Sequence, residues 1–565
     1  MHKRRNVLVT GLVVLLLVLF LAPAAVFMKP ENESFSDAEH LIEPMLRLMA
    51  AAPASAANIP VEPMIDIEAA WAIEDTREEA WEPLVAGMRN GSDELGFDAE
   101  SITFYCTLGM ELGDSWPQID LFAEAAGGDE NLRVAWIDDY SYDFPADSIR
   151  DGWRYELLAY TDTQYQYIGL VFTGLPIVRL AVEAGTEIAQ EYVPAYLSLS
   201  AAGYEPVHSG VWVHTRGGGY DKGLDKHSYR VEFHEQTGGQ DKKRSVGLLG
   251  MEPDTDWLLI SNASDETGMR NHLSWELWNR WNPDGDAPVL LESRMVEVFV
   301  GDEYKGLYQI MQRIREEEEM IRLGGNPDTD YLYRIIREMG IDSRPVQMRD
   351  LRFYELRLKP EGVSQKRQFD RIENYVLLNQ VDPALDEETF SALAQACVDI
   401  PALMNYYAFS QAADLGYENV DNNVYIWAIR GEDGAYRYHL SPWDMDNALP
   451  NGQGTPEEQA GLNLMMRMPY QILNLDVMGS RDIYYAIWAE KRADILTDDA
   501  LYQWFDAWET YINDSGAYLR ETETWWGGAR ELNLQGICAN MIDSMHNMDR
   551  QMRELWPVEE DGMLP

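Results

Sequence analysis

In "KHSYRVEF", residues 226–233, apolar and polar positions alternate. His227, Tyr229, Val231 and Phe233 fall on one face, and Lys226, Ser228, Arg230 and Glu232 on the other. A period of two marks a half-buried strand, so the pattern predicts one side on a core, with a lysine and an arginine facing outward. "YVPAYLSLSA", "SGVWVHTRGG" and "DWLLISN" read as further strands, and "RMVEVFVGDEYKGLYQIMQRI" as a hairpin turning at Gly301 and Asp302. The period changes in "SDETGMRNHLSWELWNRW", a predicted helix with Ser264 or Asp265 as N-cap and Met269, Leu273 and Leu277 along one face. After about residue 366 helical spacing predominates, interrupted by a second predicted hairpin, "NNVYIWAIRGEDGAYRYHLSPWDMDN". A β-rich half followed by a helical half carrying one hairpin suggests an α+β protein of two lobes with a cleft between them.

Upstream, short aromatic and β-branched runs over residues 100–172 predict a small β-rich module, and the spacing over 61–95 is helical. Residues 29–60, rich in Pro, Ala, Ser and Glu, read as a stalk. Before them a basic cluster is followed by an apolar run from Val7 to Met28, the pattern of a signal peptide or membrane anchor. An uncleaved anchor would leave the remainder outside the membrane.

Composition narrows the function. The 565 residues hold 96 acidic and 45 basic side chains, a formal charge of −51. That argues against a nucleic-acid or anionic-membrane surface and requires any phosphate site to be locally basic. The 18 Trp and 30 Tyr supply large cores. Cys106, Cys397 and Cys538 are too few and too scattered for a disulfide framework or zinc site and are expected to be buried, inert thiols. His214, His227, His234 and His272 lack the spacing of a compact zinc site and are read as packing or surface residues.

Chemistry gathers in three places. In "HTRGGGYDKG" Arg216 precedes Gly217, Gly218 and Gly219, where backbone N–H groups can approach phosphate oxygens. Lys226 follows directly and, held on a strand, could pair with nucleotide phosphates. "YENVDNNVYIW" offers Glu418, Asp421, Asn422 and Asn423 at one end of the second hairpin; an acid with an amide can orient a hydroxyl and help hold a metal. "SPWDMDNAL" sets Asp444 and Asp446 one residue apart, so in an extended segment both carboxylates would converge on one small volume suited to Mg²⁺. The hairpin brings the two acidic clusters together. Abundant Trp with paired acids also suits glycan chemistry, but no separated acid pair on a sugar platform stands out.

The series "TRGGGY…DKHSYRVEF", "DWLLISNASDETGMRNHLSWEL", "VEVFVGDEYKGLYQIMQRI", "NNVYIW" and "SPWDMDNAL" resembles the CotH family of secreted atypical kinases, over about residues 174–515. The resemblance implies a reduced, two-lobed protein-kinase-like fold that binds ATP with Mg²⁺, or Mn²⁺ or Ca²⁺ in its place. It also implies phosphorylation of Ser or Thr on a partner protein of the cell or spore surface. Under it, Arg216, Gly217, Gly218, Lys226 and Arg230 would contact the nucleotide, and Asp444, Asn423 and Asp446 would hold metal. Asp421 or Glu418 would receive the substrate proton. Arg270 and Asn271 would be architectural, and Glu276 is a candidate partner for Lys226. The chain departs from the family pattern at Gln312, where Glu is common, and after Arg216, where glycine and tyrosine replace small hydroxyl residues. The expected organisation is a leader or anchor at 1–28, a stalk at 29–60, the module at 61–172, the kinase-like domain at 173–515 and a helical extension at 516–565. The alternative is a catalytically inactive surface or cell-wall binding protein on the same scaffold, and transfer of a nucleotidyl rather than a phosphoryl group stays open.

Overall fold

A computed structural model of the chain describes residues 59–128, 131–138, 144–183, 185–217, 226–237, 240–283, 290–314, 329–335, 354–359, 371–379, 385–415, 423–449 and 467–555. The expected leader or anchor and nearly all of the stalk lie outside them. Among the described residues no helix is long and apolar enough to cross a membrane.

The alternating runs in the middle of the chain close on themselves. Strands β1 (Ile177–Ala181), β2 (Val193–Ser200), β3 (Val207–Arg216), β4 (Ser228–Thr237), β5 (Asp256–Ile260), β6 (Ser293–Val300) and β7 (Glu303–Gln312) pair in the order β3-β2-β1-β6-β7-β5-β4, and β4 returns to β3. Every neighbouring pair is antiparallel except β1 with β6. Closure leaves no free edge, so the inward position of each strand must be apolar. It is: Leu180, Leu197, Val213, Val231, Trp257 and Tyr308 form one buried cluster. The predicted apolar face of Tyr229, Val231 and Phe233 points into this barrel. β4 has a neighbour on each side, so its polar face is the outer face of a closed wall. The β6–β7 hairpin turns at Gly301, in the left-handed region at φ 59°, as the sequence predicted.

Outward residues of the barrel, among them Leu258, Met295, Leu307 and Met311, pack into a second, larger core shared with the helical half. Helix α1 (Arg270–Trp281) buries Met269, Leu273 and Leu277 there, but it starts later than the predicted caps. Residues 262–268 instead form a turn in which Asp265 accepts from Thr267 and from the Arg270 N–H at 2.8 Å. The rest of that core comes from α2 (Ile400–Ala412), α3 (Ser480–Ala493), α4 (Asp498–Asp514), α5 (Ala517–Trp525) and α6 (Gln535–Leu555). A small antiparallel sheet completes it: β8 (Tyr331–Ile335), β9 (Tyr354–Leu358), β10 (Val424–Arg430) and β11 (Tyr436–Pro442), in the order β9-β8-β10-β11. β10 and β11 are the second predicted hairpin.

The N-terminal region is β-rich, as expected, with two sheets around a core of its own. The helical period over 61–95 survives only in Ile67–Glu74, capped by Asp66. Strands Glu62–Asp66 and Val85–Asn90 flank it, since ladder pairing with 133–138 and 121–125 overrides local helical spacing. This module rests on the barrel, where Tyr105 stacks on Tyr304 with ring centroids 5.3 Å apart.

Candidate active site

One end of the barrel gathers most of the candidate residues. β3 finishes at Arg216, paired with Ser228 at the start of β4, which sets both residues at this end. Gly217 is exposed with φ 104°, a conformation that favours glycine. Gly218, Glu418 and Asp421 lie outside the described residues.

Lys226 precedes β4 instead of standing on it, and it does not face outward: only 4% of it is exposed. Its Nζ donates to Glu521 Oε1 at 2.7 Å and to the Leu307 carbonyl at 2.8 Å, and lies over the Tyr308 ring. Burial pushes the amine's pKa down, and the Glu521 carboxylate opposes the shift. The candidate partner Glu276 is engaged elsewhere, accepting from Trp508 Nε1. Glu521 reaches the barrel because residue 306 is glycine: at φ 92° it leaves the Leu307 N–H free to donate to Glu521 Oε2 at 2.8 Å, and a Cβ would overlap that oxygen.

The turn after β11 carries the paired aspartates. The strand ends at Pro442 and Asp444 has φ 56°, so the pair lies on a turn and the alternation expected of an extended segment does not apply. Met445 between them is buried, its N–H held by Asn271 Oδ1 at 2.9 Å, while Asn271 Nδ2 donates to Gln309 Oε1 of β7 at 2.7 Å. Arg270 Nη1 donates to the carbonyls of Ala448 and Leu449. The two residues expected to be architectural thus clamp the turn to the barrel end. Asp446 accepts from Ser264 Oγ at 2.7 Å. Val424 pairs with Pro442, so Asn423 and Trp443 face each other one step beyond the ladder, with Asp444 next. Asn423 is also left-handed, at φ 55°. Asn and Asp are the non-glycine residues that adopt this conformation most readily, which suits both to the hairpin end.

Arg216 joins the barrel to this turn. Its guanidinium carbon lies 5.7 Å from the Trp443 ring centre. Burial pushes its pKa down, Asp444 opposes that, and the positive charges of Arg334 and Arg313 add to it. Guanidinium does not deprotonate in proteins, so Arg216 keeps its charge here. Arg334 Nε is buried and has no hydrogen-bond partner among the described residues. Oxygen donors at Asp444, Asp446 and Asn423 beside the Arg216 guanidinium suit a divalent cation carrying a phosphate chain. Among the described residues no cluster of three or more His, Cys, Asp or Glu side chains forms a metal cage of its own.

Arg230 is drawn away from this end. It bonds Asp256 Oδ1 through Nε at 2.9 Å and Glu232 through Nη2 at 2.5 Å, within a network that includes Lys243. Three of the histidines singled out above have partners of their own: His214 lies against Tyr192, His234 bonds Asp241, and His272 is buried against Trp508. Gln312 donates to the Glu252 carbonyl, and all three cysteines are free and buried. The residues that sequence reasoning missed are Glu521, Arg313 and Arg334. For Glu521 the available signal was Gly306 inside an otherwise bulky strand, which marks a close approach by another group.

No curated protein matches the chain. The family model described as CotH kinase protein matches residues 213–554, more than half of the chain and all of this site, and continues through α5 and α6. The chain belongs to the CotH kinase protein family.

Proposed function

We propose that the chain is an atypical kinase, acting outside the cytoplasm, that transfers the γ-phosphoryl group of ATP to a Ser or Thr hydroxyl of a surface or coat protein. The observation that carries this reading is Arg216 stacked over Trp443, the residue before Asp444, which sets a fixed positive charge beside the aspartate turn in a chain of charge −51. Arg216 and the Gly217–Gly218 backbone bind phosphate oxygens. Lys226, paired with Glu521, supplies the lysine–glutamate arrangement that phosphoryl transfer uses. A divalent cation, when bound, neutralises phosphate charge, and Asp444, Asn423 and Asp446 offer it hard oxygen donors. Asp421 or Glu418 takes the hydroxyl proton as the hydroxyl oxygen–phosphorus bond forms and the bond to the ADP oxygen breaks. The module at 61–172 is assigned to substrate or wall recognition.

A second reading is an inactive surface-binding protein, favoured by the burial of Lys226, whose amine is committed to Glu521 and Leu307. The deciding experiment incubates the full chain with γ-labelled ATP, Mg²⁺ and a serine-rich acceptor protein. The kinase reading expects label on Ser or Thr, lost in Asp444→Asn and Arg216→Gln while their unfolding midpoints hold. Undiminished transfer in both variants overturns the site assignment, and absence of transfer to any acceptor favours the binding protein.

A further inference from the structure

The helix that holds Lys226 is itself held by the N-terminal module. In α5 two consecutive residues reach in different directions. Glu521 grips Lys226 Nζ and the Leu307 N–H. Arg520 forms a bidentate pair with Glu297 of β6, Nε to Oε1 and Nη2 to Oε2, both at 2.9 Å. The same Nη2 donates to Thr173 Oγ1 at 2.9 Å. Thr173 is the last residue of the module's strand Gln164–Thr173, fully buried, and its hydroxyl also donates to Glu297. Just before α5, Gly174 N–H donates to the Ser515 carbonyl at 3.2 Å, and Gly516 is so close to the Ile149 carbonyl that a Cβ there would overlap it. Tyr304, stacked on the module's Tyr105, donates to Glu297 Oε1 at 2.6 Å.

We propose that Arg520 is a positioning residue that links the seating of the N-terminal module, through Thr173 and Glu297, to the helix from which Glu521 orients Lys226. The physical case is one of buried charge. Glu297 is fully buried, so its carboxylate needs all of these donors, and the arrangement that satisfies it fixes α5 to within hydrogen-bond tolerance. A helix turn is rigid, so a shift at Arg520 moves Glu521 with it. Lysine cannot replace the planar bidentate fork. The inference rests on the kinase reading only for its consequence in phosphoryl transfer.

The test uses the full chain carrying Thr173→Val, which removes the hydroxyl with its bonds to Arg520, Glu297, the Ser515 carbonyl and the Leu175 N–H, and Arg520→Lys, which keeps the charge but not the fork and leaves that hydroxyl in place. Three properties are read: hydrogen exchange at the Leu307 amide, acylation of Lys226 by an amine-reactive ester, and the ATP dependence of phosphoryl transfer. The proposal expects exchange and acylation each to rise about tenfold, the size of one lost buried hydrogen bond, with the Arg520→Lys effect the larger. In transfer, the KM for ATP is expected to rise more than kcat falls. Unchanged exchange and acylation in both variants overturn the proposal. If these two shift while no variant, nor the parent chain, transfers phosphate, the link stands and the kinase reading fails.

Discussion

Lys226 and Glu521, 295 positions apart in the chain, meet at 2.7 Å inside the protein, each almost wholly buried. The pair joins the barrel to the last third of the chain. Glu521→Gln would leave the amine buried without a countercharge and is expected to cost about 3–5 kcal/mol in urea unfolding. The double variant Lys226→Met with Glu521→Leu is expected to recover most of that loss while leaving phosphate binding impaired. If the losses of Lys226→Met alone and Glu521→Leu alone add up to that of the double variant, the coupling is denied.

Gly306 is what lets the carboxylate in. Gly306→Ala places a methyl group in the left-handed region and against Glu521, and is expected to cost at least about 2 kcal/mol. Gly301, at φ 59° with open space around it, provides the control: Gly301→Ala should cost about 1 kcal/mol. Melting curves of the two variants separate strain alone from loss of the close approach.

Acid should weaken the fold through His272. Burial, then the charge of Arg294, pushes its pKa down from 6.5 to about 3. The unfolded chain therefore binds this proton first as pH falls. The stability from keeping the ring neutral is whole above about pH 6.5 and declines by about 1.4 kcal/mol per unit below it, down to about pH 3. His272→Asn is expected to flatten the difference between urea midpoints at pH 7 and pH 4.5, and an unchanged slope would assign acid lability to other groups.

Asn271 positions the turn that bears Asp444. Asn271→Ala strips a partner from both the Met445 N–H and the Gln309 amide, for an expected loss of about 1–3 kcal/mol. Affinity for Mg²⁺-ATP should fall with it in a titration followed by melting, because the aspartate turn loses its tie to the barrel.

The strands, α1 and both hairpins were legible because their apolar positions repeat at a period that one buried face imposes. Barrel closure was not: alternation in "KHSYRVEF" is the same whether the polar face meets water or the rest of the protein, so Lys226 read as exposed. The helix over 61–95 was misread for a related reason, since strand pairing with partners dozens of residues away decided it. Arg216, Asn423, Asp444 and Asp446 stood out as short motifs; the β10–β11 register sets Asn423 beside the Asp444 turn, and Arg216 reaches that turn over Trp443. Glu521 was not, because an acid on a helix surface and an acid that enters a barrel wall look alike in sequence. The counterpart that distinguishes them, Gly306, sits more than two hundred residues away.

The most direct measurement of the central claim is thermal unfolding of the full chain with and without ATP and Mg²⁺, beside Asp444→Asn and Arg216→Gln. At a nucleotide concentration about a hundredfold above Kd the native state should gain about 2.7 kcal/mol, seen as a metal-dependent rise in Tm that both variants lose. No rise at nucleotide concentrations well above millimolar, or a rise that both variants retain, would contradict a nucleotide site between Arg216 and Asp444.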